Sequence, residues 1–179
     1  MSSRGRAAAT IAAMPKSDPL EILLAFDQWA TGQILDECAK LSEQQFHQKF
    51  EIGPGSLHMS ITHILGAMQT WTATLAERER PPRIEEDGKR RSVAELAALL
   101  QSTMAAFAEQ AHRRPLDERV SRVREGKTYQ FTRGAVLTHV LTHGMHHRAQ
   151  CLNMLRHLGV KPLPPSSVSE WAVRVEGAG

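Results

Sequence analysis

The sequence predicts an all-α fold, a four-helix bundle with a long connection before its fourth helix. Three observations carry that expectation. Four segments repeat apolar residues at the 3.6-residue helical period, and each opens on a side chain able to cap a helix. A chain of 179 residues suits one domain with room for a sizeable core. Amphipathic helices bury their stripes most simply against one another, which makes a bundle the default architecture. The expected plan is an N-terminal arm over 1–16, the bundle over 17–160 and a Pro-rich tail over 161–179.

The arm holds small and basic residues with no sustained period, and Met14 is as good a start as Met1. The first helix opens on Asp18 as N-cap, with Pro19 at its first position and Glu21 three residues after the cap. Leu20, Leu23, Leu24, Ile34, Leu35, Cys38 and Leu41 share one stripe, so a helix is expected over roughly 19–41. Asp27 interrupts the middle of that stripe. A buried carboxylate needs a hydrogen bond, a cation or a wet cavity; the alternative is a slightly rotated register that brings Asp27 to solvent.

A loop through Gly53-Pro54-Gly55 leads to Ser56, the N-cap of a second helix reaching about Glu77. Leu57, Ile61, Ile64, Met68, Trp71 and Leu75 form its apolar face, with His63 on the shoulder. Pro81 and Pro82 close that element. After a polar loop through Gly88, Ser92 and Glu95 make a capping box ahead of Val93, Leu96, Leu99, Leu100, Thr103 and Phe107, a third helix ending before Pro115. Residues 115–131 lack helical period and are expected as a long connection, with an extended piece at 129–131. Thr132 caps the fourth helix, which runs through Leu158 and stops at Gly159, with Arg156 and His157 suiting the dipole at its end. The tail is expected as loop with one docked turn around Trp171.

Composition narrows the function. Hydrophobic residues at 41% and charged residues at 23% are ordinary globular values, which excludes a disordered chain. The apolar stretch over 7–14 contains Thr10 and falls far short of the roughly 20 residues that span a bilayer. With no signal-peptide pattern after it, a cytoplasmic protein without a membrane partner is expected. Cys38 and Cys151 make neither a disulfide framework nor a Cys-x-x-Cys pair, which disfavours redox and zinc-finger chemistry. Of the 22 basic residues, Arg4, Arg6 and Lys16 precede the first acidic one, leaving 19 basic residues to balance 19 acidic ones in the folded part. That balance gives no support for a nucleic-acid partner.

The histidines carry the chemistry. Five of the nine, His139, His143, His146, His147 and His157, lie on the fourth helix. Val136, Val140, Gly144, Cys151, Met154, Leu155 and Leu158 form its buried stripe, with His143 and His147 within it or at its edge. A spacing of four stacks two imidazoles on one face, the geometry by which one helix supplies two nitrogens to one metal ion. Gly144 stands where a zinc protease of the His-Glu-x-x-His type carries its general base, so that activity is disfavoured. A third ligand must come from another helix, and His63 is the best candidate. His58, His139, His146 and His157 point away from the shared centre or lie turns away. Three imidazoles suit zinc, nickel, iron or copper.

Three stretches then resemble a known family. Phe26-Asp27-Gln28-Trp29-Ala30 is similar to an aromatic-Asn-x-Trp-Ala signature, with Asp for the commoner Asn. Ser56-Leu57, His63-Ile64 and Trp71 are similar to its Ser-Ile, His-Ile and trailing Trp. Thr142-His143-Gly144-Met145-His146-His147-Arg148-Ala149-Gln150, followed by Leu155-Arg156 and Gly159, is similar to its His-x-x-x-His-Arg-Gly-Gln run, with Ala149 for the usual Gly. The chain thus resembles the DinB-like metal-dependent four-helix bundles, related to bacillithiol- and mycothiol-dependent transferases. The resemblance implies an up-down-down-up helix order, a homodimer, and metal binding by His63, His143 and His147.

The expected function is a three-histidine divalent metal site between the second and fourth helices, with zinc or nickel as the ion. The site would serve a metal-dependent thiol S-transferase, with a low-molecular-weight thiol as co-substrate, or a hydrolase acting on a small molecule. Asp27 and Gln150 are candidates for a catalytic role, whereas Arg148 suits an inter-helix salt bridge. The alternative is a non-catalytic, stress-related bundle in which the ion ties two helices together.

Overall fold

The computed structural model of the protein describes residues 18–175 and Gly177; the arm expected over 1–16 lies outside the described residues. Helix α1 (Pro19–Cys38) starts where the Leu20 amide donates to the Asp18 carboxylate at 2.8 Å. It ends before the expected residue 41, because the amides of Lys40 and Leu41 bond back to Glu37 and Cys38 in a closing turn. Ser42 then forms a capping box with Gln45 and starts a one-turn helix, α2 (Glu43–Phe46), where only loop was expected. A single turn is too short to show periodicity, but it sets Phe46 in the core.

Ser56 caps α3 (Leu57–Leu75), accepting from the Met59 amide at 3.1 Å, and the Ser92–Glu95 box caps α4 (Val93–His112). The stretch expected as a connection is an antiparallel hairpin, β1 (Arg119–Arg124) and β2 (Lys127–Thr132), with Arg119 opposite Thr132 and Arg124 opposite Lys127. Its two-residue turn places Glu125 at φ 51° and Gly126 at φ 72°, the left-handed pair that matches strand twist. Only Val120 is fully buried in this ribbon, so the strands lack the clean alternation that would have announced them. Thr132 caps α5 (Arg133–His157), and Gly159 at φ 82° ends it. The tail forms a full helix, α6 (Val168–Val175), rather than a turn. Its Trp171 is buried against Phe26 and Ala30 of α1.

The four long helices pack in a closed ring, α1 on α4 and α5, and α3 on α4 and α5. Leu24, Leu35, Leu57, Ile61, Leu96, Phe107, Val136 and Leu155 are among the buried residues that fill its centre. At one end the buried Arg133 donates to the carbonyls of Leu75 and Gln110, and His112 meets Glu21 at 2.8 Å. The starts of α1 and α5 therefore share that end with the finishes of α3 and α4. Among the described residues, no helix is long and apolar enough to cross a membrane.

Candidate metal centre

Because α3 lies along α5, His63 on one helix comes up against His143 and His147 on the other. Each of the three rings offers one nitrogen, and these nitrogens all lie within 4.8 Å of one another. Ring centroids are 5.0 Å apart for His63 and His143, 4.6 Å for His63 and His147, and 4.4 Å for His143 and His147. The Nε2 atoms of His143 and His147 stand 3.1 Å apart. Two nitrogens bound tetrahedrally at about 2.0–2.1 Å lie ~3.3 Å from each other, so the donor set fits a zinc-sized ion. Burial, reinforced by the neighbouring histidines, lowers the pKa of His143 to about 4; burial also lowers that of His147. Both rings are neutral at pH 7 and have a lone pair to give.

The proton on His147 is fixed by its neighbour. Gln150 Oε1 lies 2.7 Å from His147 Nδ1, and an amide oxygen can only accept, so Nδ1 carries the hydrogen and Nε2 the lone pair. The Gln150 amide nitrogen donates to His146 Nε2 at 2.9 Å. Gly53 makes room for this arrangement: a Cβ there would lie 2.0 Å from Gln150 Oε1. On the opposite side, His63 Nδ1 is 3.5 Å from Glu85 Oε1, and Glu85 is itself held by Arg83 at 2.8 Å. Gly66 admits that carboxylate, since a Cβ at this position would lie 2.1 Å from Glu85 Oε2.

The other candidate, Asp27, is fully buried and pairs with Arg148 of α5, whose guanidinium also reaches Thr31 at 3.3 Å. The cation foreseen for a buried Asp27 is thus present, and the solvent-facing register is excluded. Burial pushes the Asp27 carboxyl up, against the pull of Arg148. Gly144 lets the pair sit against α5, with a Cβ there only 2.7 Å from Asp27 Oδ1. The remaining histidines have other surroundings. His58 Nε2 accepts the Arg91 amide at 3.1 Å, His139 packs on Trp71, and His157 packs on Phe50. Both cysteines are free and buried, and burial pushes Cys151 up to about 12, so neither supplies a thiolate.

A profile of the DinB family matches residues 14–172, a span that includes all three converging histidines. The chain belongs to the DinB family. No curated protein matches it. Within this DinB-family chain, sequence reasoning missed Glu85 because it sits in an aperiodic loop and meets His63 only after the loop folds back over Gly66. The Arg-rich strand β1 was missed as well, whereas the extended piece expected at 129–131 lies within β2.

Proposed function

We propose that this protein is a metal-dependent enzyme of the DinB family, a thiol S-transferase or a hydrolase on a small substrate, using zinc or nickel at His63, His143 and His147. The observation that carries the reading is the convergence of three imidazoles, of which His143 and His147 are kept neutral and His147 has its tautomer set by Gln150. A divalent cation bound there would polarise a substrate oxygen or sulfur and lower the pKa of a coordinated water or thiol. The chain's own residues would do the rest. His147 would direct Nε2 inward through its Nδ1 bond to Gln150, Glu85 would stand beside His63 Nδ1, and the Asp27–Arg148 pair would fix α5 against α1. With both cysteines buried, the reacting sulfur would come from an external thiol.

A small-molecule partner, a homodimer and a cytoplasmic setting complete the proposal. The two unpaired cysteines suit a reducing compartment, and exposed Leu23, Leu116 and Met145 around an apolar groove between α1 and α5 offer surface to a second copy. The up-down-down-up helix order is supported by the shared end at Arg133. The test is a metal-reconstituted assay of bacillithiol, mycothiol, glutathione and water against a generic electrophile, beside His63→Ala. Turnover lost in that variant supports the reading. Turnover unchanged by it removes the metal from the mechanism, and no turnover with any nucleophile favours the non-catalytic bundle.

A further inference from the structure

One turn along α5 from the histidine trio, the hairpin closes a second cavity over α3 and α5, of about 400 Å³. Its walls are aromatic, with Trp71, Tyr129 and Phe131, and His139 forms the side nearest the trio, its ring 5.6 Å from that of His143. Two arginines of β1 line it, Arg122 and Arg124. Arg124 is engaged by Glu125 at 3.2 Å. Arg122 is not engaged: among the described residues it has no ion pair, and its Nε is buried without a hydrogen-bond partner. Its guanidinium carbon lies over the Trp71 ring, 4.2 Å from the centroid, and a guanidinium held on an aromatic face can still offer its N–H groups to a carboxylate. Glu125, the acidic residue of the lining, is taken up by Arg124, and the charges acting on Arg122 are cationic. Burial, and then Arg80, Arg124 and Arg83, hold Arg122 below its ordinary pKa.

A half-buried guanidinium without a counter-ion, stacked on indole at the wall of an aromatic cavity, is costly unless an anion joins it. We infer that this cavity is an anion subsite, in which Arg122 receives the carboxylate of a small ligand whose flat apolar body lies against Trp71 and Phe131. Trp71 stands eight residues beyond His63 on α3, ~12 Å along the axis. A ligand seated there therefore extends from Arg122 towards the trio, past His139. The inference names the substrate class for the proposed reaction, a carboxylate with a planar apolar body, and rests on that reading for the role of the bound molecule. The subsite itself is built by residues other than the three histidines.

The probe is 2-naphthoate, with the neutral 2-naphthamide as its isostere, followed by the Trp71 indole N–H resonance in chelator-treated and zinc-loaded protein. The acid is expected to bind in both forms and to shift Trp71. The amide is expected to bind at least about tenfold more weakly, from the loss of the charge-assisted bidentate pair. Arg122→Gln is expected to lose that discrimination while Arg122→Lys retains part of it, with helical circular dichroism unchanged in each. Equal affinity for acid and amide overturns the inference without any variant having to fold, as does the absence of any Trp71 shift at millimolar probe. Binding that vanishes on chelation and ignores Arg122→Gln also overturns it, while leaving the metal reading standing. Failure of zinc to bind, with naphthoate still held by Arg122, would instead separate the subsite from the metal.

Discussion

Gln150 touches the candidate metal centre through one hydrogen bond, to His147 Nδ1, and that bond sets which nitrogen faces inward. Gln150→Ala should therefore leave the fold intact and weaken metal affinity by roughly 10–100-fold, measured by competition with a chelating dye. An unchanged affinity would mean that the hydrogen bond does not orient the ring. A second residue-scale prediction concerns acid. Burial, then the positive groups at His47, Arg91 and Arg90, lower His58 to about 4, and its Nε2 accepts the Arg91 amide. The folded state thus favours the neutral ring, so its contribution is complete above the unfolded value of about 6.5 and is lost as pH falls from there towards 4. In metal-free protein His143 acts in the same direction. Urea unfolding should show stability falling across that window, with a shallower fall in His58→Gln, whose side chain can still accept from Arg91. An identical pH profile in the variant contradicts the assignment. Spacing alone brought His143 and His147 to attention and left Asp27 open between burial and solvent. Only the fold supplies Arg148 as its partner, because that contact joins residues 121 apart in the chain.

At the scale of elements, what was legible in the sequence was local. Asp18, Ser56, Ser92 and Thr132 each cap the helix they were expected to open, since the capping oxygen and the amides it accepts lie within one turn. Ser92→Ala should cost about 1 kcal/mol in chemical denaturation, and no measurable cost would show that the capping box is dispensable to α4. Of the hairpin only the extended piece at 129–131, inside β2, was legible; β1 and the pairing were not, because the strands are mostly solvated, nor was α2, because it is a single turn. The α1–α5 contact carries a larger expected effect. Arg148→Met leaves the Asp27 carboxylate buried without its cation and should destabilise by about 3–5 kcal/mol, with much of that loss recovered on adding Asp27→Leu. Additive losses in the double variant would show that the two residues act independently.

Across the whole molecule, the ring of α1, α4, α3 and α5 places His63 and the His143/His147 pair on adjoining helices. The number of long helices, their caps and the two-helix origin of the trio could be read from the chain. The carboxylate beside the trio and the cation of the neighbouring cavity could not, because Glu85 and Arg122 sit on a loop and a hairpin with no periodic signal. Membership of the DinB family agrees with this architecture and leaves the ion and its chemistry to experiment. Elemental analysis of protein reconstituted with zinc or nickel and freed of excess ion tests the central claim most directly, comparing wild type with His63→Ala, His147→Ala and His139→Ala. Wild type and His139→Ala should retain close to one ion per chain, whereas His63→Ala and His147→Ala should retain little. Equal metal content in wild type and His147→Ala, or loss in His139→Ala alone, would contradict a centre built from His63, His143 and His147.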